Sequence, residues 1–126
     1  MISNRCYYAL RAMLELAKRE GGKPVPIGEI AREQDIPTRF LEAILRQLKQ
    51  AGLTDSARGK DGGYFLAKPA RVIKIGDVIR IIEGPLVGVH VNPSNQTDIL
   101  KDIWQRADEA LAAVYDAEDF ASLAEK

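Results

Sequence analysis

Cysteine and histidine are almost absent from the 126-residue sequence, which has Cys6 and His90 as its single representatives. One thiol and one imidazole cannot complete a zinc site, an iron–sulfur cluster or an intrachain disulfide. We therefore expect no metal and no cofactor. Because free cysteine usually packs as a small apolar residue, Cys6 is expected to be buried, with a redox sensor as the alternative. His90 is interpreted as a surface or packing residue, with a ligand or pH role as the alternative.

Long apolar runs and catalytic motifs are also missing. No segment approaches the roughly 18 apolar residues of a membrane helix, and early charges such as Arg5 and Arg11 do not fit a signal peptide. The glycine-rich stretch 59–63 lacks the spacing of a phosphate-binding loop and lies between predicted strands. Without a membrane helix or a signal peptide, we expect a cytoplasmic protein. No nucleophile, base and orienting group converge in the sequence, so we expect no catalytic residues and no enzymatic activity.

The charges are balanced overall but unevenly distributed. Eighteen Lys and Arg against eighteen Asp and Glu give a formal net charge of zero. Residues 1–80 hold fifteen basic and nine acidic residues, whereas residues 81–126 hold three basic and nine acidic ones. The first part thus has a surplus of six positive charges and the second a surplus of six negative ones. This asymmetry favours a polyanionic partner for the first part; a chance split between solvated faces is the alternative.

Hydrophobic periodicity and glycine or proline breaks divide the chain into elements. The predicted elements are helices over residues 3–19, 25–34 and 38–51, strands over 53–58 and 64–67, and a helix over 75–83. This is the element order of a winged helix-turn-helix, mainly α with a small β-hairpin wing. We assign residues 1–84 to such a DNA-binding domain.

The remaining residues predict a linker and a dimerisation helix. Two prolines and two glycines in residues 84–96 favour a linker over 85–96, and a long helix follows over 97–115. Its apolar seam contains Leu100, Ile103, Trp104, Ala107, Leu111 and Val114. The seam needs a partner, either the first helix or, by the commonest symmetry, the same helix of a second copy. A short last helix over 117–124, with Asp116 as its starting cap and Asp119 three residues on as an approximate capping box, completes a dimerisation segment over 97–126.

The third predicted helix is the candidate reading element. Held by its leucine stripe, it can lie in a major groove about 12 Å wide. Arg39 is suited to a bidentate contact with guanine, Glu42 to cytosine, and Ala43 to a thymine methyl group. A solvated face, or an ion pair between Glu42 and Arg46, is the alternative. The candidates on this helix are Thr38, Arg39, Phe40, Glu42, Ala43 and Arg46.

Two further segments are candidates for contacting the DNA backbone. Arg58 and Lys60 flank Gly59 in a turn that would let backbone and cations approach a minor groove or its phosphates. Ser3 and Arg5, at the start of the first helix, would add phosphate contacts through backbone donors and one cation.

Several spaced motifs together resemble the Rrf2 family of dimeric bacterial winged-helix transcription regulators. They are SNRCYYALRAMLELAK at 3–18, FLE at 40–42, LKQAGL at 48–53, SARG at 56–59, GGY at 62–64, GDVI at 76–79 and EGP at 83–85. The resemblance implies a homodimer on double-stranded DNA with an inverted-repeat operator. Cluster-bearing members have three cysteines between the fourth and the long helix, and residues 85–99 have none. The resemblance therefore implies the branch of the family that has no iron–sulfur cluster. This branch includes the repressors of cysteine metabolism, which respond through an enzyme partner.

A second hypothesis concerns a different class of function. The same fold would serve as a protein-interaction or small-molecule-sensing module that no longer reads DNA. An effector protein or a small metabolite is then the expected partner, and no membrane is involved.

Overall fold

The computed structural model describes residues 2–86 and 99–126. Its elements are α1 (Asn4–Lys18), α2 (Ile27–Gln34), α3 (Thr38–Gln50), β1 (Thr54–Ala57), β2 (Gly63–Leu66), a short 3-10 helix (Ala70–Val72), α4 (Ile75–Glu83), α5 (Lys101–Ala117) and α6 (Phe120–Ala124). The structure confirms the predicted fold class, mainly helical with one β-hairpin. The predicted linker lies almost entirely outside the described residues, as does His90.

Helix α1 is the centre of the domain, and α2, α3, α4 and α6 all pack against it. Its start is capped by Ser3, whose hydroxyl accepts a hydrogen bond of 3.1 Å from the backbone N–H of Cys6. Ala9 and Ala12 are fully buried, and such small side chains allow neighbouring helices to approach closely. Met13 is fully buried in the same core, where a flexible thioether can adapt to irregular gaps.

The turn between α2 and α3 sets the angle of the helix-turn-helix. Asp35 adopts a left-handed backbone conformation (φ 53°), which ends α2. The N–H of Ile36 then bonds to the carbonyl of Ala31 at 2.9 Å. Pro37 precedes α3, where its missing N–H costs no helical bond. The sequence predicts for α3 an apolar stripe of Leu41, Leu45 and Leu48 with Phe40 and Ile44 beside it. The three leucines and Ile44 are fully buried, as predicted, whereas Phe40 is 41% exposed.

The wing is an antiparallel hairpin in which Thr54 pairs with Leu66 and Ala57 with Gly63. Its second strand also pairs with the segment before α2 through two 2.8 Å bonds between Val25 and Tyr64. A Cβ at position 63 would lie 2.4 Å from the backbone of Val25, so only glycine allows this approach. The hairpin is therefore fixed at its base to the helix-turn-helix.

The last helix belongs to the N-terminal core. Phe120 is 1% exposed and lies in one apolar cluster with Met13 and Val78. Its N–H bonds to the carbonyl of Ile73 at 3.1 Å. The predicted start of this helix at Asp116 is wrong, because α5 continues to Ala117 and α6 begins only at Phe120. Residues 118–124, grouped by sequence with the dimerisation segment, thus pack on α1.

Helix α5 contacts α4 but has no buried residue. Several of its apolar side chains face outward, among them Ile103 at 46% and Val114 at 64% exposure. The described chain therefore gives the predicted seam no complete cover, and α1 is not its partner. None of the helices in the described ranges is both long and apolar enough to cross a membrane.

Candidate nucleic-acid interface

One side of α3 is polar and exposed while the opposite side is buried. Arg39, Glu42, Ala43 and Arg46 are all exposed, at a spacing that places them on one helix face. Thr38, the first residue of α3, is exposed at the same end. The structure thus brings together the predicted reading residues of α3 on a surface that a DNA groove can reach.

Glu42 and Arg46 form the ion pair that the sequence left open as an alternative. Arg46 Nη2 lies 3.3 Å from Glu42 Oε1, and both side chains are about two-thirds exposed, at 64% and 66%. Exposed pairs of this kind contribute little to stability because water and salt screen them. The pair can therefore open when a base edge or a phosphate offers either group a better partner.

Arg39 lies on an aromatic platform. Its guanidinium carbon is 4.7 Å from the centre of the Phe40 ring, within the range of a cation–π contact. The Phe40 ring in turn stacks on Tyr8 of α1, with centres 6.0 Å apart and planes 26° apart. Phe40, predicted as a DNA-contacting residue, thus also holds Arg39 in place and is 41% exposed.

Arg5 is held beside the second half of α3. Its Nη2 donates to Gln47 Oε1 at 2.6 Å, and Gln47 Nε2 donates to the carbonyl of Ile81 in α4 at 3.0 Å. Gln47 thereby connects α1, α3 and α4 around the candidate surface. Sequence analysis missed this residue, because a glutamine on a helix flank carries no signal for its partner.

Ser3 is occupied within the protein. Its hydroxyl caps α1 and donates to the carboxylate of Glu83. The Glu83 carboxylate, in hydrogen-bond contact with Ser3, would repel a phosphate. The side chain of Ser3 therefore has a structural role. A DNA contact at this position would have to come from backbone donors and from Arg5.

The tip of the wing carries two exposed cations. Arg58 and Lys60 are exposed, and neither has a hydrogen bond or ion pair with the rest of the described chain. Between them Gly59 has a φ of 104°, a conformation that favours glycine. The turn is closed by a 3.0 Å bond from the N–H of Gly62 to the Gly59 carbonyl.

The wing is also joined directly to α3. Thr54 Oγ1 donates to the carbonyl of Leu45 at 3.2 Å, and Lys49 Nζ donates to Ser56 Oγ at 2.8 Å. Lys49 lies 3.7 Å from Asp55 as well. Its charge is therefore used to hold the hairpin, whereas Arg58 and Lys60 remain available to a ligand.

Cys6 is fully buried in α1, as predicted. Burial, and secondarily the charge of Glu83, raise the pKa of its thiol to about 11. The thiol therefore stays protonated and shielded at neutral pH, the opposite of a reactive cysteine.

A cationic wing contact predicts a specific salt effect. We expect Arg58→Ala to weaken DNA binding equally for all sequences and to flatten the slope of log affinity against log salt concentration by about one unit. Arg71→Ala is the matched control, because Arg71 is also exposed but lies on the 3-10 helix beside α6. Fluorescence anisotropy at several salt concentrations measures both. An unchanged slope for Arg58→Ala would remove Arg58 from the interface.

An exposed helix of a helix-turn-helix, joined to a hairpin with free cations, defines a winged helix-turn-helix DNA-binding protein. Residues 2–126 match the Rrf2 family, described as iron-dependent transcriptional regulator, and the chain belongs to this family. The resemblance seen in the sequence is thereby confirmed.

Individual relatives are similar over nearly the whole chain. The HTH-type transcriptional regulator CymR of Bacillus subtilis is 36% identical over 124 residues, covering 96% of this chain and 89% of CymR. The solved structure of B. subtilis CymR, titled the global cysteine regulator, superposes with a TM-score of 0.90 at 34% identity, covering 99% of this chain and 96% of that one. The structure titled T. potens IscR superposes with a TM-score of 0.83 at 33% identity, covering 99% and 86%.

The iron in the family description does not fit the residues of this chain. Iron–sulfur clusters depend on several thiolates, and the sequence has one cysteine, which is buried inside α1. Within residues 2–86 and 99–126, no group of three or more His, Cys, Asp or Glu side chains is placed to hold a metal ion.

Proposed function

We propose that the protein is a homodimeric transcription regulator that binds an inverted-repeat operator without an iron–sulfur cluster. We propose the role of a repressor rather than an activator. The observation that carries this proposal is the exposed face of α3, with Arg39 pre-oriented on Phe40, next to a wing whose Arg58 and Lys60 are unpaired among the described residues. Free cations beside a reading helix fit a double-stranded nucleic acid better than a neutral partner.

The side chains of α3 divide into reading and positioning groups. Arg39 has the planar guanidinium that suits a guanine edge, Glu42 accepts from a cytosine amino group, and Ala43 contacts a thymine methyl. Arg46, a turn further along, contacts a phosphate, as does Arg5, which bonds to the neighbouring Gln47. Each good bidentate base contact discriminates by about 1–3 kcal/mol, so one or two suffice to make the site specific.

A second copy of this chain is the proposed partner of α5. The helix has no buried residue. The predicted seam combines apolar side chains of α5 with Leu100 just before its start: Leu100, Ile103, Trp104, Ala107, Leu111 and Val114. Twofold pairing of two such helices would bury both seams in one self-complementary interface. It would also place the two α3 helices in major grooves with centres about 34–36 Å apart, or slightly more, which gives the operator its inverted symmetry.

The uneven charge supports this orientation. The basic surplus lies in residues 1–80, which include α3 and the wing, and the acidic surplus lies in residues 81–126, which include α5. Acidic residues away from the groove-facing surface repel misoriented DNA and limit non-specific adhesion.

The regulated genes are proposed from the relatives. Because similarity to B. subtilis CymR, the global cysteine regulator, extends over nearly the whole chain, we assign this protein a role in cysteine or sulfur metabolism. It acts in the cytoplasm, where the DNA is, it has no catalytic function, and an effector protein or a small metabolite modulates it.

Gel-shift titrations against fragmented genomic DNA test the proposal. We expect a few fragments to bind at least about 1,000-fold more tightly than the rest at physiological salt, as specific sites do. Equal and weak binding to every fragment would exclude sequence-specific regulation. A protein-interaction or metabolite-sensing module would then be the better interpretation, and a co-purified ligand would give the largest thermal stabilisation.

The reading role of Arg39 predicts a local loss of specificity. We expect Arg39→Ala to lose about 1–3 kcal/mol of discrimination at one base pair of each half-site, with little change at the others. Arg32→Ala is the control, because it removes an exposed arginine from α2 and leaves the reading face of α3 intact. Competition with operators changed at single positions measures the effect. Uniform weakening at all positions would assign Arg39 to a phosphate instead.

A further inference from the structure

A two-pronged ion pair joins α5 to the DNA-binding domain. Arg80 of α4 donates from Nη1 to Asp116 Oδ1 at 2.9 Å and from Nη2 to Asp116 Oδ2 at 2.6 Å. Such a bidentate pair fixes direction as well as distance, because both planar groups must align. The hydrogen bond from Arg80 also holds the pKa of Asp116 below its usual value, so the carboxylate stays charged at neutral pH.

Gly76 provides the space for the ion pair between Arg80 and Asp116. A Cβ at position 76 would lie 2.0 Å from Asp116 Oδ1 and 2.9 Å from Arg80 Nη1. The carboxylate therefore lies directly against the first turn of α4, and any side chain at position 76 would push it away. Glycine is unfavourable inside a helix, so its presence here is explained by close approach rather than by helix formation.

The ion pair between Arg80 and Asp116 lies at the C-terminal end of α5, where this helix is attached to the domain. Just beyond it, the carbonyl of Glu118 accepts from the N–H of Ile75 at 2.9 Å, and Phe120 enters the core. The remainder of α5 has no buried residue. The Arg80–Asp116 pair, the Ile75–Glu118 bond and the burial of Phe120 together fix this end of α5 on the domain.

A small tilt of α5 at its Asp116 end produces a large displacement at its Lys101 end. The 17 residues of α5 span about 25 Å. Tilting a rod of that length by about 10° moves its far end by about 4 Å. Neighbouring base pairs are about 3.4 Å apart along DNA, so such a tilt corresponds to about one base pair of half-site spacing.

Helix α4 supports the reading helix as well. The carbonyl of Ile81, next to Arg80, accepts the bond from Gln47 of α3. One helix thus holds both the reading element, through Gln47, and the proposed dimerisation helix, through Arg80.

We propose that Asp116, acting through Arg80, is a positioning residue that sets the spacing between the two half-sites of the operator. This inference rests on the proposed homodimeric DNA binding. It assigns the spacing to the angle between α5 and α4, whereas base identity is assigned to α3.

The test is a set of operators with one fixed half-site sequence and spacers lengthened or shortened by single base pairs. The proteins compared are the wild type, Asp116→Asn and Gly76→Ala. The matched control is Asp102→Asn, which makes the same substitution but removes an ion pair within α5, between Asp102 and Arg106 at 2.9 Å. Affinity for a single half-site is measured in parallel, together with thermal unfolding.

We expect the wild type and Asp102→Asn to favour one spacer over its neighbours by about tenfold, because DNA must be deformed to fit the others. Asp116→Asn and Gly76→Ala should reduce that preference to about twofold or shift it by one base pair, with single half-site affinity unchanged. Alanine is the better helix former at position 76, so a lost preference there would not reflect a weaker helix.

Three outcomes would overturn the inference. The wild-type spacer preference persisting in Asp116→Asn and Gly76→Ala would show that other contacts set the spacing. The same loss in Asp102→Asn would show a general effect of removing charge from α5. A wild type that binds none of the operators would instead remove the proposed function, and this inference with it.

Discussion

The Ile103→Asp variant is expected to be a folded monomer whose affinity for the full operator falls by about 100-fold or more. Ile103 is 46% exposed in the isolated chain, and α5 has no buried residue, so the change removes nothing from the core of the domain. A charge in the seam would, however, have to be desolvated in the interface with a second copy. Without the dimer the second half-site no longer binds as part of the same complex, which typically removes a factor of about 10²–10⁴.

Sedimentation and operator titration measure the two parts of this result. Val72→Asp is the control, because it introduces the same charge at an apolar residue of similar exposure, 49%, on the 3-10 helix. We expect this control to remain dimeric and to bind normally. A dimeric Ile103→Asp variant with wild-type affinity would show that α5 is not the interface.

The Phe120→Ala variant is expected to lose about 3–5 kcal/mol of unfolding free energy, as is usual for a buried aromatic residue. Phe120 lies 1% exposed among residues of α1 and α4, although it follows α5 in the chain. Its removal leaves a cavity in the centre of the N-terminal domain, and most of that volume cannot be refilled. The loss would show that the last helix stabilises the DNA-binding domain.

Denaturant unfolding at one fixed protein concentration measures this loss, since dimerisation makes stability depend on concentration. Phe65→Ala is the matched control, because Phe65 lies on the wing at 37% exposure and should cost far less. Similar small losses in both variants would contradict the placement of α6 in the core.

The local parts of the fold could be predicted from the sequence. The stripe of Leu41, Leu45 and Leu48 follows from helical periodicity, and burial confirms it. The glycines at 59, 62 and 63 indicate the tight turn of the wing, and the hairpin forms around them. The exposed face of α3 follows as well, because it is what remains once the stripe is buried.

Contacts between distant residues could not be predicted in this way. Periodicity shows which face of a helix is apolar but not which element covers it. Arg80 and Asp116 are 36 residues apart, and Gln47 and Ile81 are 34 apart, so no local pattern connects them. The sequence predicts a helix start at Asp116, since an acidic residue before a short apolar run resembles a cap. The true cap is Asp119, whose carboxylate accepts from the N–H of Ser122 at 2.8 Å.

Operator binding by a dimer is best measured by selecting bound sequences from random double-stranded DNA. We expect an enriched inverted repeat, with two half-sites about one helical turn or slightly more apart and a conserved guanine in each. The Arg39→Ala variant, selected in parallel, should lose that guanine and keep the symmetry. A pool without an enriched sequence, or with single unpaired half-sites, would contradict an operator-binding dimer.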